Sequence, residues 1–186
     1  MRWADLAARQ PRLGSLASER LVSPGVLLVV TVRRDGTPRL SPVEPVVMEG
    51  DLWLSMMWRS TKALDLLRDP RVLVHSVVSS PSGQEGEFKV RGRAVHEDDA
   101  GVQQRYADLV AATLDWEPEP GSFHLFRIDI DEVAYIRYDN ATGDQHVGRW
   151  PPAQEFVRRG TTATSVGDPE PVTDWVVPEH PASAPP

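Results

Sequence analysis

Cysteine is absent from the 186-residue chain, which removes disulfides, thiolate catalysis and cysteine metal sites from consideration. Long hydrophobic runs are missing too. The longest, Val26 to Val32, is interrupted by Thr31 and is far too short to cross a bilayer. The start lacks the charged, apolar and cleavage regions of a signal peptide, so a cytoplasmic protein without a membrane partner is expected. Lysine is scarce and acid is in excess: 27 acidic residues against 20 basic ones give a formal net charge of −7, and only Lys62 and Lys89 are lysines. A broad footprint for nucleic acid is therefore not expected, and any anion site must be local. The sequence has no Gly-rich dinucleotide fingerprint, no phosphate loop ending in Gly-Lys-Ser/Thr, no Gly-x-Ser-x-Gly elbow and no His-Glu-x-x-His. Chemistry must be recruited otherwise, and a bound redox cofactor would do this.

What is present suits one domain with a tail. Residues 1–24 carry Trp3, Leu6, Leu13, Leu16 and Leu21 at loosely helical spacing, broken by Pro11 and Gly14, which predicts one or two short helices over a sheet edge. Gly25 to Arg33 is a near-continuous β-branched and apolar run, expected as a central strand. Asp35-Gly36 signals a type I′ hairpin, after which Arg39 to Met48 returns. Pro42 and Pro45 make that return an edge or an irregular strand. Asp51 to Met57 alternates Leu52, Leu54 and Met56 against Trp53, Ser55 and Met57.

A short helix follows, capped by Ser60 or Thr61 and ended by Asp69-Pro70. Val72 to Ser79 and Phe88 to His96 then extend a five-strand meander. Asp98 is expected to cap a second helix, whose Val102, Tyr106, Leu109, Val110 and Leu114 form one stripe. Phe123 to Ile130, Val133 to Tyr138 and Gln145 to Trp150 complete a mainly β fold, a closed barrel or sandwich of antiparallel strands with flanking helices. Residues 153–186 turn Pro-rich and acidic and are expected to be largely disordered, Trp175 to Val177 being their one late apolar cluster.

The candidate site is Arg59-Ser60-Thr61-Lys62, which puts a guanidinium, two hydroxyls and an ammonium at a strand-to-helix junction. Helix amino termini attract anions through unpaired N–H groups and the helix dipole. The same tetrad also reads as an ordinary cap, with Lys62 pairing to Asp65 on the surface. His75 and His124 read as hydrogen-bonded core or interface residues, because no second histidine stands at metal-binding spacing, and no metal is expected. Asp129, Asp131 and Glu132 read as a solvated turn. Glu44 is a carboxylate placed equally well beside a groove or on the surface.

Val26 to Val32, Arg34-Asp35-Gly36-Thr37-Pro38-Arg39-Leu40-Ser41-Pro42-Val43, Gly50 to Ser55, Ser60-Thr61-Lys62-Ala63 and Leu67-Arg68-Asp69-Pro70-Arg71 together resemble the pyridoxamine 5′-phosphate oxidase-like family. These are the split β-barrel flavin and deazaflavin proteins. The resemblance is strong from Gly25 to Val78 and looser to Pro152, so residues 25–152 are expected to be the barrel. It implies a homodimer with cofactor sites at the subunit interface. By that pattern Arg59, Ser60, Thr61 and Lys62 bind the cofactor phosphate, Leu40, Ser41, Pro42 and Val43 lie along the ring system, and Trp150 approaches from the partner chain. FMN is the first expectation, because one terminal phosphate matches the compact tetrad. The 8-hydroxy-5-deazaflavin coenzyme is the alternative, in keeping with an arginine-rich composition that suits a GC-rich genome. The activity implied is hydride transfer between the flavin and a small substrate, by positioning and without a protein nucleophile. A non-catalytic flavin- or haem-binding module is the other class. Oxidation of pyridoxamine phosphate itself is not expected, because the Pro-rich acidic end lacks the Arg/His segment that holds that substrate in such oxidases.

Overall fold

The computed structural model describes residues 1–113, 116 and 118–172. None of its helices is long and apolar enough to cross a membrane. Ten strands carry the fold: β1 Leu27–Val32, β2 Pro38–Val43, β3 Pro45–Met48, β4 Asp51–Met57, β5 Arg71–Ser76, β6 Glu87–Glu97, β7 Phe123–Tyr138, β8 Gln145–Trp150, β9 Gln154–Thr162 and β10 Ser165–Pro171. The helices are α1 Trp3–Arg9, α2 Pro11–Ala17, α3 Thr61–Arg68 and α4 Ala100–Thr113, with a π-helical turn over Ser18–Val22 after α2.

The expected five-strand meander is not what forms. All neighbours are antiparallel, but the order runs β10-β9-β8-β7-β6-β5-β1-β2, with β4 joined to β7 and β3 to β4. The chain leaves β4 through α3 and returns beside β1 instead of β4. Strand β7 divides its attention: Phe123 to Arg127 pair with β4, while Val133 to Tyr138 pair with β8. This forked strand splits the barrel.

Phe123–Ile130 and Val133–Tyr138, expected as two strands, are one. The acidic stretch read as a turn contains a β-bulge, where the register slips from Arg91↔Glu132 to Gly92↔Ile130 and leaves Asp131 exposed. The Asp35-Gly36 hairpin is present, but only Gly36 has positive φ (83°). Gly36 N–H donates to Arg33 O and Arg33 N–H to Thr37 O, a three-residue loop instead of type I′.

The N-terminal helices do more than cover an edge. Trp3, Leu6, Leu13, Leu16 and Leu21 enter the main core with Leu27, Leu54, Phe88, Phe126 and Ile128. The amino terminus is tied in by Met1 N–H₃⁺ donating to Ile130 O at 2.9 Å and by Arg2 pairing with Asp51 at 2.7 Å. A second cluster lies under α4, where Tyr106 and Val110 pack with Trp53, Phe123 and Leu125. Asp99, not Asp98, caps α4: its Oδ1 accepts Val102 N–H at 2.9 Å. Leu114 lies outside the described residues.

The disordered tail expected from residue 153 is corrected as far as Pro171. Strands β9 and β10 extend the sheet from β8. Buried Asp144 accepts Gly160 N–H and an ion pair from Arg159, and Arg12 of α2 pairs with Glu155. Val157 is the one buried side chain in β9, so this hairpin lacks the alternating apolar pattern that marks a strand in sequence. Trp175 to Val177 lie outside the described residues.

Gly92 is the residue the bulge cannot replace. A Cβ there would stand 2.0 Å from Asp129 O and 3.0 Å from Asp129 C, both backbone atoms. Gly92→Ala is expected to cost at least about 2 kcal/mol in urea unfolding, the scale of overpacking a rigid site.

Candidate functional site: an anion cradle at the start of a helix

Strand β4 ends at Met57, and the chain turns into α3 through Trp58, Arg59 and Ser60. Ser60 N–H donates to Met57 O at 3.0 Å, and Arg59 adopts positive φ (54°). For a non-glycine residue this conformation is costly and tends to mark functional sites. Here it carries a solvent-exposed guanidinium to which no described residue is bonded. Ser60 occupies the N-cap position, yet its side chain makes no capping bond. Its Oγ is buried and has no hydrogen-bond partner. The hydroxyl of Thr61 likewise makes no hydrogen bond among the described residues. The first helical bond closes at Leu64 N–H to Ser60 O, so the N–H groups of Thr61, Lys62 and Ala63 remain to be satisfied.

Lys62 does not pair with Asp65. Its Nζ donates to Pro42 O at 3.3 Å, which brings the tetrad against the Leu40–Val43 segment. That segment is the outer strand of the sheet path, with β1 on one side only. Pro38 and Pro42 have no N–H, so by antiparallel alternation the ladder to β1 is donated from Arg39, Ser41 and Val43. Leu40, 61% exposed, is left as the strand's N–H donor on the open edge. Ser41 is half-buried, Pro42 exposed and Val43 buried.

Asp65 is unavailable to Lys62 because it is buried and occupied. Its Oδ2 accepts Arg39 Nε at 2.7 Å and Thr31 Oγ1 at 3.0 Å, and its Oδ1 accepts Arg68 at 3.3 Å. Arg68 also donates to Val32 O. Thr31, the polar interruption of the β1 run, is explained by this bond. Burial works to raise the Asp65 pKa, but the hydrogen bonds from Arg39 and Thr31 outweigh it and hold the carboxyl below its ordinary value. The sequence reading missed this residue's role. Its one local signal was its place between buried Ala63 and Leu66.

Trp150 ends β8, pairs with Val133 and packs half-buried on the main core. Ten residues of β7 separate Val133 from Phe123, the partner of Met57, about 30 Å of extended chain. No hydrogen bond or ring contact joins Trp150 to the tetrad among the described residues. His75 is hydrogen-bonded as expected, Nδ1 to Ser76 O at 2.6 Å and Nε2 to Glu87 at 3.3 Å. His124 is buried beneath Trp58, its ring stacked at 4.4 Å and 10°. Its Nδ1 lies 3.2 Å from His96 Nε2. Burial and then the neighbouring His96 lower its pKa. No signal in the sequence joined these three rings. Glu44 is exposed at the break between β2 and β3. Among the described residues no three metal-ligating side chains converge. A wider groove of about 1080 Å³ lies where β7 ends, lined by Ser80, Tyr138, Thr161 and Ser165. Its hydroxyls largely bond one another, as in Ser80 with Ser82 and Thr161 with Ser165. The anion cradle is the better candidate because its polar groups are unspent.

The fold is a split β-barrel with basic and hydroxyl side chains gathered at a strand-to-helix junction. The family model described as pyridoxamine 5′-phosphate oxidase matches residues 16–137, and the chain belongs to that family. Solved structures of similar fold include the conserved hypothetical protein Rv2991 from Mycobacterium tuberculosis, with TM-score 0.55 and 19% identity over 64% of this chain and 81% of that one. A nimC/nimA family protein from Clostridium acetobutylicum has TM-score 0.54 and 16% identity over 73% and 92% of the two chains. General Stress Protein 26 from Bacillus anthracis has TM-score 0.51 and 20% identity over 67% and 91%. No functionally curated protein matches the chain.

Two measurements test the cradle's construction. Ser60→Ala is expected to leave stability within about 0.5 kcal/mol, as for a site making no structural bond, whereas loss of a working N-cap costs about 1 kcal/mol. Asp65→Asn is expected to destabilise by about 2 to 3 kcal/mol in urea unfolding. A depressed folded-state pKa contributes stability above the unfolded value and loses it as pH falls through the folded one. The wild-type protein should therefore lose stability below about pH 4 more steeply than Asp65→Asn, read from unfolding midpoints across that range.

Proposed function

We propose that the protein is an FMN-dependent oxidoreductase acting on a small substrate. The observation that carries this reading is the unpartnered, buried Ser60 Oγ at the start of α3, flanked by the unbonded Arg59 guanidinium and Thr61 hydroxyl. A buried polar atom without a partner is costly, and a phosphate monoester would satisfy it together with the free N–H groups of the helix. Arg59 and Lys62 would supply the opposite charge. The open edge of β2 would take the ring system, with Leu40 N–H the donor available to its polar edge and Val43 the buried end of that wall. FMN, when bound, supplies hydride transfer. The residues of this chain bind and orient it and exclude water; none is placed as a nucleophile.

The site is completed in a homodimer on this reading. Leu40, Met57, Trp58, Leu64 and Leu67 are between 42% and 79% exposed around the cradle, an apolar surface suited to cover by a second copy. Trp150 would then come from that copy. The deazaflavin coenzyme is the second reading, because the same tetrad can grip an internal phosphate. Oxidation of pyridoxamine phosphate is not the proposed reaction.

Titration of the purified protein with FMN tests the reading. Lys62→Ala is expected to weaken FMN binding by roughly 2 kcal/mol, about thirtyfold, without altering the fold. Unchanged affinity would return the tetrad to a capping role. Tight FMN that no hydride donor reduces would make the protein a binding module.

A further inference from the structure

At Trp58, the residue that precedes Arg59 of the cradle, lies a small cavity of about 310 Å³. It is bounded by Trp58 and Phe123 as aromatic walls, by His96 and Asp98 as polar ones, and by Gln103 and Gly121. We infer that it is a subsite for the base of a purine 5′-nucleotide whose phosphate sits on the Arg59–Lys62 cradle. The inference rests on the phosphate reading above and adds what lies beyond the phosphate.

Trp58 lines the cavity and is joined directly to Arg59, so a nucleotide held by its phosphate at the cradle has the Trp58 indole as the next side chain along. The indole is a prepared platform. It is 57% exposed, yet its ring is fixed by stacking on buried His124, so little side-chain freedom remains to be lost on binding. Aromatic faces bind nucleobases by stacking whatever their substituents. The frame around it is equally fixed: buried Gln103 donates through Nε2 to Glu97 O at 3.0 Å and accepts Gly121 N–H at 2.7 Å.

The polar walls select the ring. His124 Nε2 is buried and unpartnered, and a bare acceptor is tolerated there better than a stranded N–H. With the His124 proton on Nδ1, the tautomer this favours, it donates to His96 Nε2 and the His96 proton on Nδ1 is left as a donor. Asp98 is an acceptor with no hydrogen bond among the described residues. A donor and an acceptor over an aromatic platform match a ring nitrogen and an exocyclic amine, as on adenine. Glu97, Asp98 and Asp99 stand together here, which disfavours an acidic extension beyond the phosphate. The volume is at the low end for ligand pockets and suits one base. The adenylate consistent with a flavin phosphate on the cradle is that of a flavin adenine dinucleotide, in which the two phosphates are joined.

Calorimetric titration of the full-length protein with adenosine 5′-monophosphate, ribose 5-phosphate and FMN tests this. Adenosine 5′-monophosphate is expected to bind at least tenfold more tightly than ribose 5-phosphate. Trp58→Ala should abolish that preference while keeping ribose 5-phosphate affinity, and Asp98→Asn should reduce it severalfold. Tighter binding of flavin adenine dinucleotide than FMN would assign the base to the flavin coenzyme. Equal affinities for adenosine 5′-monophosphate and ribose 5-phosphate, with FMN still bound, would overturn the subsite alone. Failure of FMN and of both sugar phosphates to bind would overturn the cradle reading and the subsite with it.

Discussion

The buried carboxylate of Asp65 is the constraint on which the rest of this structure depends. It joins Thr31 of β1, Arg39 of β2 and Arg68 at the end of α3 through hydrogen bonds of 2.7 to 3.3 Å. These ties fix the helix against the two outermost strands of the barrel path. A carboxylate so buried is stable only because its charge is met on several sides. With α3 held at Asp65, its amino terminus is held too, and Lys62 rests against Pro42. The anion cradle and the open edge of β2 are thus two ends of one rigid assembly.

What distinguishes the cradle from its surroundings is the state of its polar groups. Elsewhere in the fold charged side chains are largely engaged: Arg20 with Glu85, Arg2 with Asp51, Arg159 with Asp144. At the start of α3 a guanidinium, two hydroxyls and the first helical N–H groups converge with little to bond. The helix could have been capped by Ser60 and is not. Positive φ at Arg59 adds backbone strain at the same point, and strain beside unspent donors is what makes this junction the candidate site.

Strand β7 explains how one sheet serves two purposes. Its first five residues pair with β4 and so set the position of Trp58 and the cradle. Its later residues pair with β8 and carry β9 and β10 outward. The match to the family ends at residue 137, so the β9–β10 hairpin lies beyond it. The bulge opposite Gly92 lets the strand change partners, because the extra residue bends it where the barrel ends.

Much of this was legible in the chain. The apolar run of β1, the Asp-Gly loop, the alternation in β4 and the stripe of α4 are local patterns, and local periodicity reflects which face of an element is buried. The tetrad at 59–62 and the segment at 40–43 were visible as residue types in a recognisable order. Strand partnership was not legible: β4 pairs with β7 and β5 with β1 because of packing between residues far apart in sequence. Nor was the β9–β10 hairpin, whose polar strands are held by Asp144 and Arg12. The sequence by itself determined most of the strands up to β8, the helix junction and the charge gathered there. Only the tertiary structure decided that Asp65 is a buried tie and not a surface partner, that Ser60 Oγ is left without a bond, and that Trp58 stacks on His124 with His96 tilted against it, since each depends on contacts between segments that no local pattern encodes.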